Sequence, residues 1–240
     1  MSDIKSILFL GFPNVGEQDL LAAWELLRSL AWTLAQHGKQ LDVTLGSFEG
    51  DAIRTHMGAK LESERKLAPR DRFDLLYIPG GIGAGEASTN ETILEFVRAH
   101  HTEGRWVAAN CAGVGVLHRA GVLAGLEVTA PATVSRRLAV LGTQVATPRR
   151  AWIIHPEQKV MTAGGAATVH PSTIALFWHV FGENQARDLA ATWDGLPLHG
   201  ESLFSLVGPA LSDNENAKSQ LQNRWEKVLL PDWSPMVEVA

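Results

Sequence analysis

Four short apolar runs, separated by stretches with turn residues and the period of a helix, constrain the fold of this chain more than any other feature. They are Ile4–Leu10, Leu41–Leu45, Asp74–Pro79 and Arg105–Asn110. The first and third, rich in Ile and Leu, read as buried strands, and the second and fourth read as strands as well. After the first run, Leu20, Trp24, Leu27, Ala31 and Leu34 step by three and four and so share one helix face. His37-Gly38 closes that helix, since glycine tolerates the left-handed turn at a helix end. After the third run, Ser88 and Glu91 read as a capping box, with Ser88 as N-cap, ahead of a helix carrying Ile93, Leu94, Phe96 and Val97. Strand alternating with helix predicts a parallel, doubly wound α/β sheet sandwiched by helices.

The segment from Gly46 to Arg72 is polar and turn-rich, a loop or small hairpin over the sheet. Further strands are expected over Glu127–Ala130, Ala151–Ile154 and Lys159–Ala163, and helices over roughly 170–181 and 183–193. After Gly195 the pattern turns irregular, with one polar helix over roughly 213–228. The chain is therefore divided into an α/β domain, 1–195, and an extension, 196–240, that packs on the domain or on a dimer partner.

Composition excludes several classes. A net charge of -5 leaves no basic stripe for nucleic acid. The apolar stretches fall short of the ~20 residues a membrane helix needs. The first residues lack a basic, then long apolar, export signal, and a single cysteine forms no internal disulfide, so a cytoplasmic protein is expected. No His, Cys or Asp spacing suggests a metal. Gly81-Ile82-Gly83-Ala84-Gly85 lacks the spacing of a phosphate-binding loop, so no nucleotide site is expected there.

The run that carries chemistry is Ala108-Ala109-Asn110-Cys111-Ala112-Gly113. A lone cysteine is more often a small buried hydrophobe than a nucleophile. Here it stands at a strand end, before a helix, flanked by small residues, which a sharp nucleophile turn requires because bulkier neighbours would collide. N–H groups at the helix start are expected to draw the thiol pKa from about 8.5 toward neutrality.

Cys111 with its small neighbours, the helix closing in Ala120-Gly121-Val122-Leu123-Ala124-Gly125, the Pro79-Gly80-Gly81 turn and Met161-Thr162-Ala163-Gly164-Gly165 together resemble the ThiJ/PfpI superfamily over residues 4 to 195. The resemblance implies a flavodoxin-like sandwich of the class I glutamine amidotransferase kind, without a cofactor, and a homodimer acting on a small molecule. Within the superfamily the likeness is greatest to isonitrile hydratases, whose acid is an Asp in a phrase like Phe12-Pro13-Asn14-Val15-Gly16-Glu17-Gln18-Asp19-Leu20. It implies Cys111 as nucleophile and Asp19 as general acid and base, with Glu17 the runner-up on another side of the helix. Gly80, Gly81, Ile82 and Ala112 are the expected substrate- or oxyanion-binding positions, their backbone N–H groups facing developing charge.

Two departures bear on activity. Ala130 stands where many members carry His, and Ala112 stands where the hydratase phrase has Thr and the protease-like branch has His. A Cys–His peptidase is thereby disfavoured. The rivals to hydration are glyoxalase- or deglycase-like action on small dicarbonyls, and a non-catalytic ligand or stress sensor.

Overall fold

The structure, a computed structural model, describes residues 4–50 and 52–192, with 219, 222, 223, 226, 229 and 230 from the C-terminal stretch. The first apolar run forms β1 (Ser6–Gly11), and the amphipathic segment after it forms α1 (Glu17–Gln36). Leu20, Ala23, Leu26, Leu27 and Leu30 bury the inner face of α1. Complete burial of each leucine is worth about 1.5–3 kcal/mol. Next come β2 (Asp42–Ser47), a hairpin of β3 (Ala52–Arg54) and β4 (Lys60–Glu62), and a two-residue strand, β5 (Arg65–Lys66). The hairpin matches the sequence reading of 46–72; β5 does not, being two exposed charged residues that add to the free edge of β2.

β6 (Leu75–Ile78) leads through Pro79-Gly80-Gly81 to the short α2 (Ala84–Ala87) and then α3 (Glu91–Thr102). The N-cap of α3 is Asn90, whose Oδ1 accepts from Ile93 N, in place of the expected Ser88. Ser88 belongs to the end of α2, where its hydroxyl donates to Gly85 O. β7 (Trp106–Asn110) runs into a 3-10 turn at Cys111–Gly113 and then α4 (Val114–Arg119). β8 (Glu127–Val128), shorter than expected, pairs with β9 (Gln144–Val145) in a separate two-stranded sheet, with α5 (Ala132–Val140) between them. β10 (Trp152–His155), β11 (Val160–Ala163), α6 (Val169–Phe181) and α7 (Glu183–Thr192) follow.

The main sheet has the order β10-β11-β7-β6-β1-β2-β5, parallel throughout except for β10. One helical layer is built of α1, α6 and α7 and the other of α2, α3 and α4. This is the flavodoxin-like, doubly wound architecture expected from the sequence. The chain leaves β1 toward β2 and returns on its other side as β6, so strand order reverses between β1 and β6. Crevices in such sheets open beyond the carboxyl ends of the strands at that reversal.

Leu229 and Leu230 are buried in the common core, and Arg136 of α5 pairs with Glu226 at 3.0 Å. The boundary placed at residue 195 and most of the helix expected over 213–228 lie outside the described residues. Among the described residues no helix is long and apolar enough to cross a membrane.

Candidate active site

Three loops meet at the reversal: residues 12–16 after β1, 79–83 after β6, and the turn after β7. The first two are fastened to each other by Gly16 N donating to Gly80 O at 2.9 Å and Gly83 N to Asn14 O at 3.0 Å. Their approach is too close for side chains. A Cβ on Gly81, whose φ is +103°, would overlap Gly16 N, and one on Gly83 would overlap Pro13 O. Glycine is required here both for conformation and for space.

The same demand explains Cys111. Its φ is +51°, a left-handed conformation that costs a non-glycine residue about 1–2 kcal/mol. The surroundings hold it there: Cys111 N donates to Gly164 O at 2.6 Å, from the loop after β11. The following residues stay small because a Cβ on Gly113 would lie 2.5 Å from Ile78 O. The elbow expected from sequence is therefore built, and it leaves the thiol half-buried at the crevice.

Asp19, in the first turn of α1, is buried and hydrogen-bonded to the Cys111 thiol. Burial pushes its carboxyl up to about 6, although the bond from Cys111 pulls the other way. Glu17 is directed elsewhere. Its Oε1 accepts from Thr55 Oγ1 and from Met57 N of the β3–β4 hairpin. Burial opposes its ionisation, but the bonds from Thr55, its own backbone and Met57, with the charge of His56, hold it below the usual range. Of the two acids, the structure brings Asp19 to the sulfur and gives Glu17 to the hairpin.

The expected lowering of the thiol is overturned. Burial first, and then the charge of Asp19, push Cys111 well above the ordinary thiol range. The N–H groups of Ala112 and Gly81 donate to the sulfur and pull it down, as anticipated, but they are outweighed. Two N–H groups of a three-residue turn cannot offset desolvation plus a neighbouring carboxylate. Asp19 and Cys111 thus share one proton at neutral pH, carried on sulfur and bonded to the carboxylate.

The expected binding positions divide in role. Gly81 and Ala112 present N–H groups to the sulfur. Gly80 does not, because its N–H is taken by Asn110 Oδ1 at 3.1 Å. Gly80 supplies space instead: a Cβ there would overlap Cys111 Cβ and stand 2.8 Å from Asp19 Oδ2. Ile82, partly buried against the core, opens the turn into α2, with its carbonyl accepting from Gly85 N.

Sequence reading passed over two residues at the site. Asn110 ends β7 wholly buried, and its signal was a carboxamide closing an otherwise apolar strand. Tyr77 is fully buried on β6; its hydroxyl faces Thr173, and burial with the charges of Asp19 and Cys111 raises it far above the usual range. Among the described residues, no histidine contributes to the shift of the Cys111 thiol. His118 bonds Thr143 Oγ1 at 2.7 Å, and His170 faces Glu25 of α1. His100, in the last turn of α3, is buried, with Nδ1 bonding Phe96 O and Nε2 accepting from Phe73 N. Ala130 is fully buried. Among the described residues no three His, Cys, Asp or Glu converge as a metal site.

Residues 5–173 match the DJ-1/PfpI family. The isonitrile hydratase of Pseudomonas putida is 29% identical over 121 residues, half of each chain. The deglycase PfpI of Pyrococcus furiosus is 36% identical over 90 residues, 37% of this chain and 54% of that one. The chain thus spans about half the length of these curated relatives in alignment. Among solved structures, a ThiJ/PfpI family protein of Pseudomonas syringae superposes with a TM-score of 0.73 at 16% identity, covering 95% of this chain and 90% of that one. Drosophila melanogaster DJ-1beta superposes with a TM-score of 0.65 at 19% identity, over 80% and 98%. Identities this low establish the fold.

Proposed function

The chain belongs to the DJ-1/PfpI family, and we propose that within it this protein hydrates isonitriles to N-substituted formamides, with Cys111 as nucleophile and Asp19 as acid and base. One observation carries the reading: thiol and carboxyl are hydrogen-bonded directly to each other. In a carbonyl substrate the nucleophile goes to carbon and the proton to oxygen. In R–N≡C both go to the terminal carbon. A nucleophile whose own proton is held by the adjacent acid is suited to deliver both to one atom.

Asp19 takes the thiol proton as sulfur attacks the terminal carbon, and returns it to that carbon, giving the thioimidate R–N=CH–S–Cys111. Water then adds to the C=N carbon, and Asp19 passes one of its protons to nitrogen, leaving a hydroxyl on carbon. The tetrahedral adduct expels the sulfur as the hydroxyl proton passes through Asp19 to the departing thiolate, and R–NH–CHO leaves. The net change is addition of one water. The N–H groups of Ala112 and Gly81 steady the sulfur each time it bears negative charge.

The test is turnover of a simple alkyl isocyanide, followed as formamide by proton NMR. Wild-type protein should form product and Cys111→Ala should form none. Formamide production unchanged in Cys111→Ala, or absent from the wild type, sinks the reading. A second reading, action on small dicarbonyls, draws on the deglycase relative. It is favoured if glyoxal is consumed and the isocyanide is not. We further propose a homodimer on the strength of the family resemblance, to be checked by sedimentation velocity.

A further inference from the structure

Asn110 does more than end a strand. It is wholly buried, and a buried carboxamide must find hydrogen-bond partners within the protein. Its partners lie on two other elements of the site. Gly80 N donates to Oδ1 at 3.1 Å, and Nδ2 donates to the main-chain oxygen of Asp19 at 3.2 Å. The orientation of the amide is unambiguous, since the Gly80 N–H can only donate and the Asp19 carbonyl can only accept. The same Nδ2 stands 3.4 Å from Asp19 Oδ1.

The two carboxyl oxygens of Asp19 are therefore unlike. Oδ1 faces an N–H. Oδ2 lies on the glycine side, where Cβ atoms on Gly16 and Gly80 would come within 2.7 and 2.8 Å of it. Cys111 Cβ borders that same space beside Gly80. A proton on Oδ1 would point at the amide hydrogen, so the proton belongs on Oδ2, toward the sulfur.

We propose that Asn110 is a positioning residue for Asp19, fixing the first turn of α1 against Gly80 and confining the shuttled proton to Oδ2. This rests on the reading of Asp19 as acid and base. The titratable groups facing Asp19 are Cys111 from the elbow and Tyr77 from β6. Glu17, in the same turn, is engaged by the hairpin, and His170 of α6 faces Glu25.

The test needs no isonitrile. Alkylation of Cys111 by iodoacetamide, followed by intact-protein mass spectrometry across pH, reads the Asp19 ionisation as an inflexion near 6. In Asn110→Leu the amide donor is gone. The inflexion should then rise by about one pH unit, the worth of one net hydrogen bond, slowing alkylation at pH 6 about fivefold. A profile for folded Asn110→Leu that superimposes on the wild type overturns the proposal. If that variant does not fold, the intact wild type still decides. Its Asn110 side-chain amide resonances, in nitrogen-15 NMR, should shift with the Asp19 titration and stop shifting in Asp19→Asn; resonances that never titrate overturn it. A protein that hydrates no isonitrile yet shows the Asn110-dependent profile supports the positioning role while removing the substrate.

Discussion

Asp19→Asn is expected to make the protein more stable and inactive at once. The folded protein raises the Asp19 carboxyl from 3.8 to about 6, chiefly by burial. Between those values the folded state holds a proton that the unfolded chain has released. Folding is therefore favoured below the window, and the advantage is lost as pH rises through 6. The shift corresponds to about 3 kcal/mol of destabilisation once both states are ionised. Asparagine has the same shape and no charge to bury. Its side-chain oxygen accepts from Asn110, and its NH2 group reaches the sulfur. At pH 8 the variant should be more stable by up to about 3 kcal/mol, roughly 6–12 °C in melting temperature for a chain of this size. At pH 4 the gain should vanish. Paired urea titrations at the two pH values measure the difference, and groups common to both proteins cancel. Isocyanide turnover should meanwhile fall by about 10²–10⁴, the usual worth of a positioned acid–base. The inflexion near 6 in iodoacetamide alkylation should disappear, since the group that titrates there is gone. Equal stability changes at pH 8 and pH 4, or turnover within about threefold of wild type, would refute the reasoning.

Gly80→Ala should cut turnover about a hundredfold, because its Cβ cannot fit without moving the sulfur or the carboxyl by about 1 Å. Gly165→Ala, with ordinary φ and only Pro131 Cβ within 4 Å, at 3.9 Å, is the control and should retain activity in the same kinetic assay. Leu230→Ala should cost about 2–5 kcal/mol in urea unfolding, since that side chain is fully buried in the core; a cost under about 1 kcal/mol would detach the C-terminal residues from it. His100 and His118, held down to about 4 by burial, should make the protein lose stability as pH falls from about 6.5 through 4. Melting temperature against pH should show less of that loss in His100→Gln.

The parallel sheet was legible because β1, β6 and β7 are nearly continuous apolar runs, the pattern of two-sided burial. β5 was not, since Arg65 and Lys66 join the sheet through backbone atoms alone, filling the open edge of β2. The N-cap of α3 was misplaced by two residues because Ser88 and Asn90 are both good caps, and only the preceding α2 decides between them. These are choices made by neighbouring backbone, to which a local pattern is blind.

At the site, what local chemistry dictates was readable and what three loops jointly dictate was not. Small residues around Cys111 announce a strained turn whatever lies nearby, and the turn is there. Thiol ionisation, in contrast, is settled by groups distant in sequence. A reading confined to residues 108–113 sees only the N–H groups that lower the thiol, and therefore obtains the wrong sign. Asp19 reverses it, and Asn110, Gly80 and Gly16 determine how close Asp19 comes. A high proton affinity on both groups does not disable the pair. It keeps a single proton in the bond between them, so neither charge need be created in the open before substrate arrives. On the proposed reading, the nucleophile is generated as a carbon atom takes up both the sulfur and the proton.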